Sequence, residues 1–149
     1  MFDRAKAYRA ITKGVLGEYL ILQAKVANLP ERIAAERARL TAIRSASAES
    51  AAVSGSGANM RQERDTAIIA ECERLCRQLL LAKRDLACIE NALSVLDERE
   101  RRVIELMDIQ QQACAVERLC TELGYERTKI YAIRNCALDK FSSVYNGAK

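Results

Sequence analysis

Two sets of side chains in this 149-residue chain have the types and spacing to do chemistry, and the first is six cysteines. Zinc sites need close ligand pairs such as CxxC, often completed by histidine, and the chain has neither. Cys72 and Cys76 lie four apart on a helical pattern. We expect no metal and no cofactor, and we interpret the cysteines as small buried residues in a reducing, cytoplasmic compartment. A four-thiolate zinc site or a redox pair is the alternative.

The second set lies in residues 127–140 and has the groups that contact nucleic acids. Arg can fork onto guanine O6 and N7, Asn can bridge adenine N6 and N7, and Ala or Thr methyls can meet a thymine methyl. The candidate DNA-binding residues are Arg127, Thr128, Lys129, Tyr131, Ala132, Arg134, Asn135 and Lys140. Among them Lys129, Arg134 and Lys140 are better suited to phosphate. For any one residue taken alone, a solvated helix surface is as good an interpretation.

The segment VERLCTELGYERTKIYAIRN, residues 116–135, predicts the elements that would position this set. Two short helices at a steep angle need a small residue at their crossing, a glycine in the turn and apolar residues at fixed offsets. The positions that meet these needs are Leu119, Cys120, Leu123, Gly124, Ile130 and Ile133. We therefore predict a helix-turn-helix with the two isoleucines inside. An ordinary helical hairpin with no role in DNA binding is the alternative.

Heptad patterns predict long helices in the rest of the chain. Apolar residues alternate by four and three from Ile68 to Leu96, and a weaker repeat runs from Tyr8 to Ile43. Pro30 either kinks this first helix, which we favour because the register continues, or begins a new one. Residues 45–60, rich in Ser, Ala and Gly, are predicted to be a flexible linker.

We predict an all-α fold: a long antiparallel helical hairpin in residues 1–95, then a helix-turn-helix in residues 96–149. Asp97 and Glu100 predict a capped helix start at their junction. A thin hairpin leaves apolar edges, so we expect a homodimer or larger homo-oligomer. With no long apolar run, no phosphate loop and no acid pair in an evident cleft, we expect no membrane association and no enzyme activity.

These C-terminal residues resemble region 4 of bacterial sigma-70-type factors. LDERERRVI, residues 96–104, is similar to its opening helix, and GYERTKIYAI, residues 124–133, is similar to its recognition helix. The whole chain resembles small phage-encoded late-gene activators of the ArpU and RinA type. The resemblance implies sequence-specific binding to double-stranded DNA, control of phage or prophage transcription, and RNA polymerase as a further partner.

Three departures and a charge count keep other functions open. Glu126 stands where the family has Ser or Thr, Tyr131 and Ala132 replace basic or amide residues, and no promoter-melting region is present. Residues 96–149 carry nine basic and nine acidic side chains, which is a weak basic footprint for a DNA-binding domain. The alternatives are a small-terminase-like phage DNA-packaging protein, and a coiled-coil partner of RNA polymerase that binds DNA weakly.

Overall fold

The computed structural model of the chain describes residues 3–49 and 56–147, and every regular element in these ranges is helical. The predicted all-α class is therefore confirmed. A π-helical turn, Glu105–Ile109, directly follows the fourth helix. The six α-helices are α1 (Arg4–Gly17), α2 (Tyr19–Glu49), α3 (Ser56–Ser94), α4 (Glu98–Ile104), α5 (Ala115–Leu123) and α6 (Arg127–Gly147).

The helices form two compact units whose boundaries differ from the predicted ones. Residues 24–83 make one unit, called here the two-helix unit. Residues 1–23 and 84–149 make the other, called the terminal unit because it contains both ends of the chain. The division predicted between residues 95 and 96 therefore does not match these boundaries, since α1 and the end of α3 pack with the C-terminal helices.

Within the two-helix unit, α2 and α3 pack along the predicted apolar positions. Leu29 and Ile33 of α2 form a buried cluster with Leu75 of α3. Nearer the connection, Arg44 pairs with Asp65 at 3.4 Å between Nε and Oδ2. The repeat positions of α3 within this unit are all buried or half-buried, namely Ile68, Cys72, Leu75, Leu79 and Ala82.

The structure decides between two alternatives at Pro30 and corrects the predicted bounds of the linker. Helix α2 is continuous across Pro30, so the alternative in which proline begins a new helix is wrong. The helices also extend into the predicted linker, because α2 reaches Glu49 and α3 begins at Ser56. The Ser45 hydroxyl donates to the Thr41 carbonyl at 3.0 Å, so its polar group has a partner within the helix. The remaining linker positions, 50–55, lie outside the described residues.

The core of the terminal unit joins helices from both ends of the chain. The chain turns at Glu18, between α1 and α2, and α1 packs against α6. Leu16 of α1 is completely buried in a cluster that includes Leu138 and Phe141 of α6. Burial of these side chains contributes about 1.5–3 kcal/mol each. The sequence had assigned α1 to the hairpin, but its buried face belongs to the terminal unit.

An ion pair adds to this α1–α6 contact. The Arg9 guanidinium donates two hydrogen bonds to Asp139, at 2.7 Å from Nε and 2.6 Å from Nη2. These hydrogen bonds hold the pKa of the Asp139 carboxyl below its usual value. A lowered folded pKa stabilises the fold above the unfolded pKa of about 3.9, and that contribution is lost as the pH falls through the folded value.

We predict that Asp139→Asn lowers the free energy of unfolding at pH 7, and that its difference from the parent protein shrinks as the pH falls below about 3.9. Urea denaturation followed by circular dichroism at a series of pH values measures this difference. Asp85→Asn, which removes the same charge at an exposed position of the same unit, is the matched control. A deficit in Asp139→Asn of the same size at every pH would contradict the assignment.

Candidate nucleic-acid interface

The site begins with a helix start that the sequence predicted correctly. The Asp97 side chain accepts a hydrogen bond from the Glu100 backbone N–H at 2.8 Å, and the Glu100 carboxylate accepts from the Asp97 N–H at 3.1 Å. This reciprocal capping box satisfies two backbone donors that would otherwise have no partner. It fixes where α4 begins, and Glu100 becomes a buried carboxylate as a result.

The connection from α4 to α5 is partly buried. Its π-helical turn buries Leu106, Asp108 and Ile109. Gln111 and Cys114 then take positive φ angles of 48° and 59°. Non-glycine residues rarely adopt this conformation, so the surrounding packing must hold the backbone there.

The turn between α5 and α6 has the geometry that the sequence predicted. Only three residues separate the helices, and Gly124 has a φ of +69°, in the left-handed region. Its N–H donates to the Cys120 carbonyl at 3.0 Å, which closes the last turn of α5. Glycine takes this conformation without the steric cost of a Cβ atom.

The wedge between these helices is filled by the predicted apolar residues. Leu119 of α5 and Ile130 of α6 are completely buried in a cluster with Val103 and Leu106. The remaining predicted wedge positions, Cys120, Leu123 and Ile133, are half-buried against the same cluster. The rotation of α6 about its axis is therefore fixed by its inner face.

Most of the predicted DNA-binding residues lie in exposed positions of α6. Tyr131, for example, keeps 42% of its surface exposed. The exposed members of the set are Arg127, Thr128, Lys129, Tyr131, Ala132, Asn135 and Lys140. The fold thus brings six of them together in the first two turns or so of α6 and leaves them accessible, with Lys140 farther along the helix.

Arg134 is a correction to the predicted set. Its Nε donates to Asp108 Oδ2 at 3.0 Å, and its Nη2 donates to the other carboxylate oxygen. Only 18% of the Arg134 side chain and 2% of the Asp108 side chain are exposed. These hydrogen bonds raise the pKa of Arg134. The guanidinium compensates a buried carboxylate, so it is not a free phosphate contact.

Lys140 is also paired with an acid of the same protein, although its side chain is 49% exposed. Its Nζ lies 2.7 Å from Oε1 of the buried Glu100, and this hydrogen bond raises the pKa of Lys140. The predicted phosphate contact at this position is therefore not a free cation. No signal in the sequence indicated this pairing, because Glu100 was interpreted only as part of the helix cap.

Arg127 differs from these two because its partner is exposed. Its Nη2 lies 3.1 Å from Glu117 Oε1 of α5, with 67% of the arginine and 55% of the glutamate side chain exposed. Such surface pairs contribute only about 0–1 kcal/mol. The Arg127 guanidinium can therefore exchange its carboxylate partner for another acceptor at little cost.

One cation near this face was missed by the sequence analysis. Arg99 of α4 donates from Nη1 to the Tyr125 hydroxyl at 2.7 Å and lies 5.9 Å from the centre of its ring. Both line a shallow cleft of about 300 Å³ that also contains Lys129. The contact joins residues far apart in sequence, so no local pattern could have indicated it.

Comparison with protein-family models, with curated proteins and with solved structures finds no match for this chain. The resemblance to sigma region 4 therefore stays a prediction from the sequence. Across residues 3–49 and 56–147 no cluster of three metal-binding side chains is found, and no helix has the length and apolar character needed to cross a membrane.

We predict that Gly124→Ala destabilises the protein by about 1–2 kcal/mol, because alanine at a positive φ brings its Cβ against the following carbonyl oxygen. The matched control is Gly14→Ala, within helix α1, where a new Cβ would meet nothing within 4 Å. That change should instead stabilise by about 0.5–1 kcal/mol. Denaturant titration of both variants gives the two signs, and equal effects would argue against a strained turn.

We predict that Arg134→Ala lowers the free energy of unfolding by about 3–5 kcal/mol, since it leaves the buried Asp108 without a partner. Arg127→Ala, which breaks an exposed pair, should cost less than about 1 kcal/mol. The double change Asp108→Leu/Arg134→Leu should recover much of the loss, because no uncompensated charge remains. Small losses of similar size in Arg134→Ala and Arg127→Ala would show that Asp108 is hydrated.

Proposed function

We propose that this protein is a sequence-specific, double-stranded-DNA-binding regulator of transcription that acts in the cytoplasm on phage or prophage genes and catalyses no reaction. The observation that carries the proposal is the arrangement of α6. Ile130 is completely buried between α5 and α6, while Thr128, Tyr131 and Asn135 are exposed on other sides of α6 and Arg127 is exposed at its first position. The phage context comes only from the resemblance of the sequence.

The position of this set on the helix suits the major groove. The groove is about 12 Å wide, which admits one α-helix of about 10–12 Å diameter. In helix-turn-helix proteins the N-terminal residues of the recognition helix contact the base edges, and Arg127, Thr128 and Tyr131 lie at the start of α6. Arg127 would then read guanine and Asn135 adenine, with the Thr128 and Ala132 methyls available for thymine. Lys129, for which no ion pair is found among the described residues, is the phosphate contact on this helix.

The two-helix unit is the proposed means of self-association. We interpret it as the antiparallel hairpin expected from the heptads, since Leu29 and Ile33 meet Leu75 and Arg44 meets Asp65. Ile69, Leu80 and Leu81 remain exposed on α3 and would be covered by a second copy. A dimer presents two recognition helices, which suits a two-fold operator. A large ring in a mass measurement would favour DNA packaging.

One observation favours the second candidate, a partner of RNA polymerase that binds DNA weakly. Three of the cations of α6 are paired with acids of the same protein, namely Arg127, Arg134 and Lys140. This reduces the positive charge available to phosphates. Recovery of polymerase on the immobilised protein, together with no retardation of any duplex at low salt, would establish this candidate.

We predict that Arg127→Ala weakens binding to the preferred duplex by about 1–3 kcal/mol and relaxes the base choice at one position. The duplexes are selected from a random-sequence library with the parent protein, and affinities are measured at fixed salt. Lys129→Ala should weaken all duplexes alike. Arg77→Ala, an exposed change in the two-helix unit, controls for loss of charge. Uniform loss in Arg127→Ala would refute the base-reading assignment.

A further inference from the structure

Helix α1 carries the strongest positive charge of any helix in the described part of the chain relative to its length. It has four basic residues and no acid among 14 residues, and the basic residues are Arg4, Lys6, Arg9 and Lys13. Lys6, Arg9 and Lys13 are spaced by three and four, so they lie on one face of the helix. The neighbouring face, with Thr12 and Leu16, is buried in the terminal unit.

The Arg9–Asp139 ion pair shows where this basic face lies relative to α6. Asp139 is one helical turn beyond Asn135, and both belong to the exposed side of α6. The two Arg9 hydrogen bonds, at 2.6 and 2.7 Å, therefore place the basic face of α1 beside the part of α6 that follows the proposed base-reading residues. Lys6 is exposed and Lys13 is half-buried, and neither is found in an ion pair among the described residues.

The position of Asp139 indicates what would face α1 when α6 lies in a groove. Asp139 is 12 residues after Arg127, or about 18 Å along the helix axis. Base edges are contacted by the N-terminal residues of a recognition helix, whereas its far end can contact the backbone, so Asp139 would lie beyond the base edges, near the sugar–phosphate backbone. A free carboxylate there would repel phosphate. Arg9 neutralises it, and the adjacent lysines make the local charge positive.

We propose that α1 is the second half of the DNA-binding surface, in which Lys6 and Lys13 contact the phosphates that flank the bases read by α6. This inference rests on the proposed function and adds an element at the opposite end of the sequence. It also accounts for the balanced charge of residues 96–149, because the missing positive charge comes from α1. Phosphate contacts position a protein on DNA without reading sequence.

The test compares two double variants of the full chain on the selected duplex and on a random duplex. Lys6→Gln/Lys13→Gln removes the proposed contacts, and Lys25→Gln/Lys83→Gln removes the same charge from exposed positions of the two-helix unit. Circular dichroism verifies that both remain folded. Affinities are measured at salt concentrations from about 50 to 300 mM. The loss of affinity with increasing salt reports the number of phosphate contacts.

We expect Lys6→Gln/Lys13→Gln to weaken both duplexes by roughly 10- to 60-fold near 0.1 M salt, with the base preference unchanged. The slope of log affinity against log salt should fall by about 1.8, since each lost phosphate contact removes about 0.9. The control pair should keep the parent slope. An unchanged slope, or equal losses in both pairs while the parent binds specifically, would overturn the role of α1. A parent protein that binds no duplex would overturn the proposed function itself.

Discussion

The rotation of α6 about its own axis is the constraint on which the candidate site depends. Two contacts set it, the burial of Ile130 in the wedge and the pairing of Arg134 with the buried Asp108. These residues are four apart, so they lie on the same side of the helix and fix the opposite side toward solvent. The apolar contact supplies most of the driving force, and the ion pair adds direction because a buried carboxylate tolerates few other partners.

Ion pairs within the terminal unit explain how residues 96–149, whose charges balance, can still leave some cations available at the surface. Buried acids take the cations that the fold needs, as Asp108 takes Arg134 and Glu100 takes Lys140. Exposed acids leave cations exchangeable, as Glu117 does with Arg127. Counting charges along the sequence treats these cases alike, whereas burial separates structural cations from those available to a ligand. Arg134 was misassigned for this reason, and Lys140 is paired with a buried acid although its own side chain is about half exposed.

Local signals in the sequence predicted a large part of the fold. The heptad positions of α3, the capping box at Asp97 and the left-handed Gly124 all depend on neighbours within a few residues. The π-helical turn, the pairing of Asp108 with Arg134, and the packing of α1 on α6 depend on contacts between distant residues. No pattern within one helix can encode those contacts, so the division predicted near residue 95 was misplaced. The base-reading role of α6 itself stays a prediction.

The order of the units along the chain separates the packing of the terminal unit from the surface that we propose for self-association. The terminal unit is formed by the first 23 residues together with residues 84–149, so the two-helix unit is an insertion in sequence between α1 and the end of α3. Leu16 must be buried against Phe141 for the terminal unit to close, and this contact forms between opposite ends of the chain. Changes in exposed residues of the inserted unit leave that core intact. The exposed surface of α3 that we propose for self-association can therefore be changed without disturbing the packing of α1 on α6.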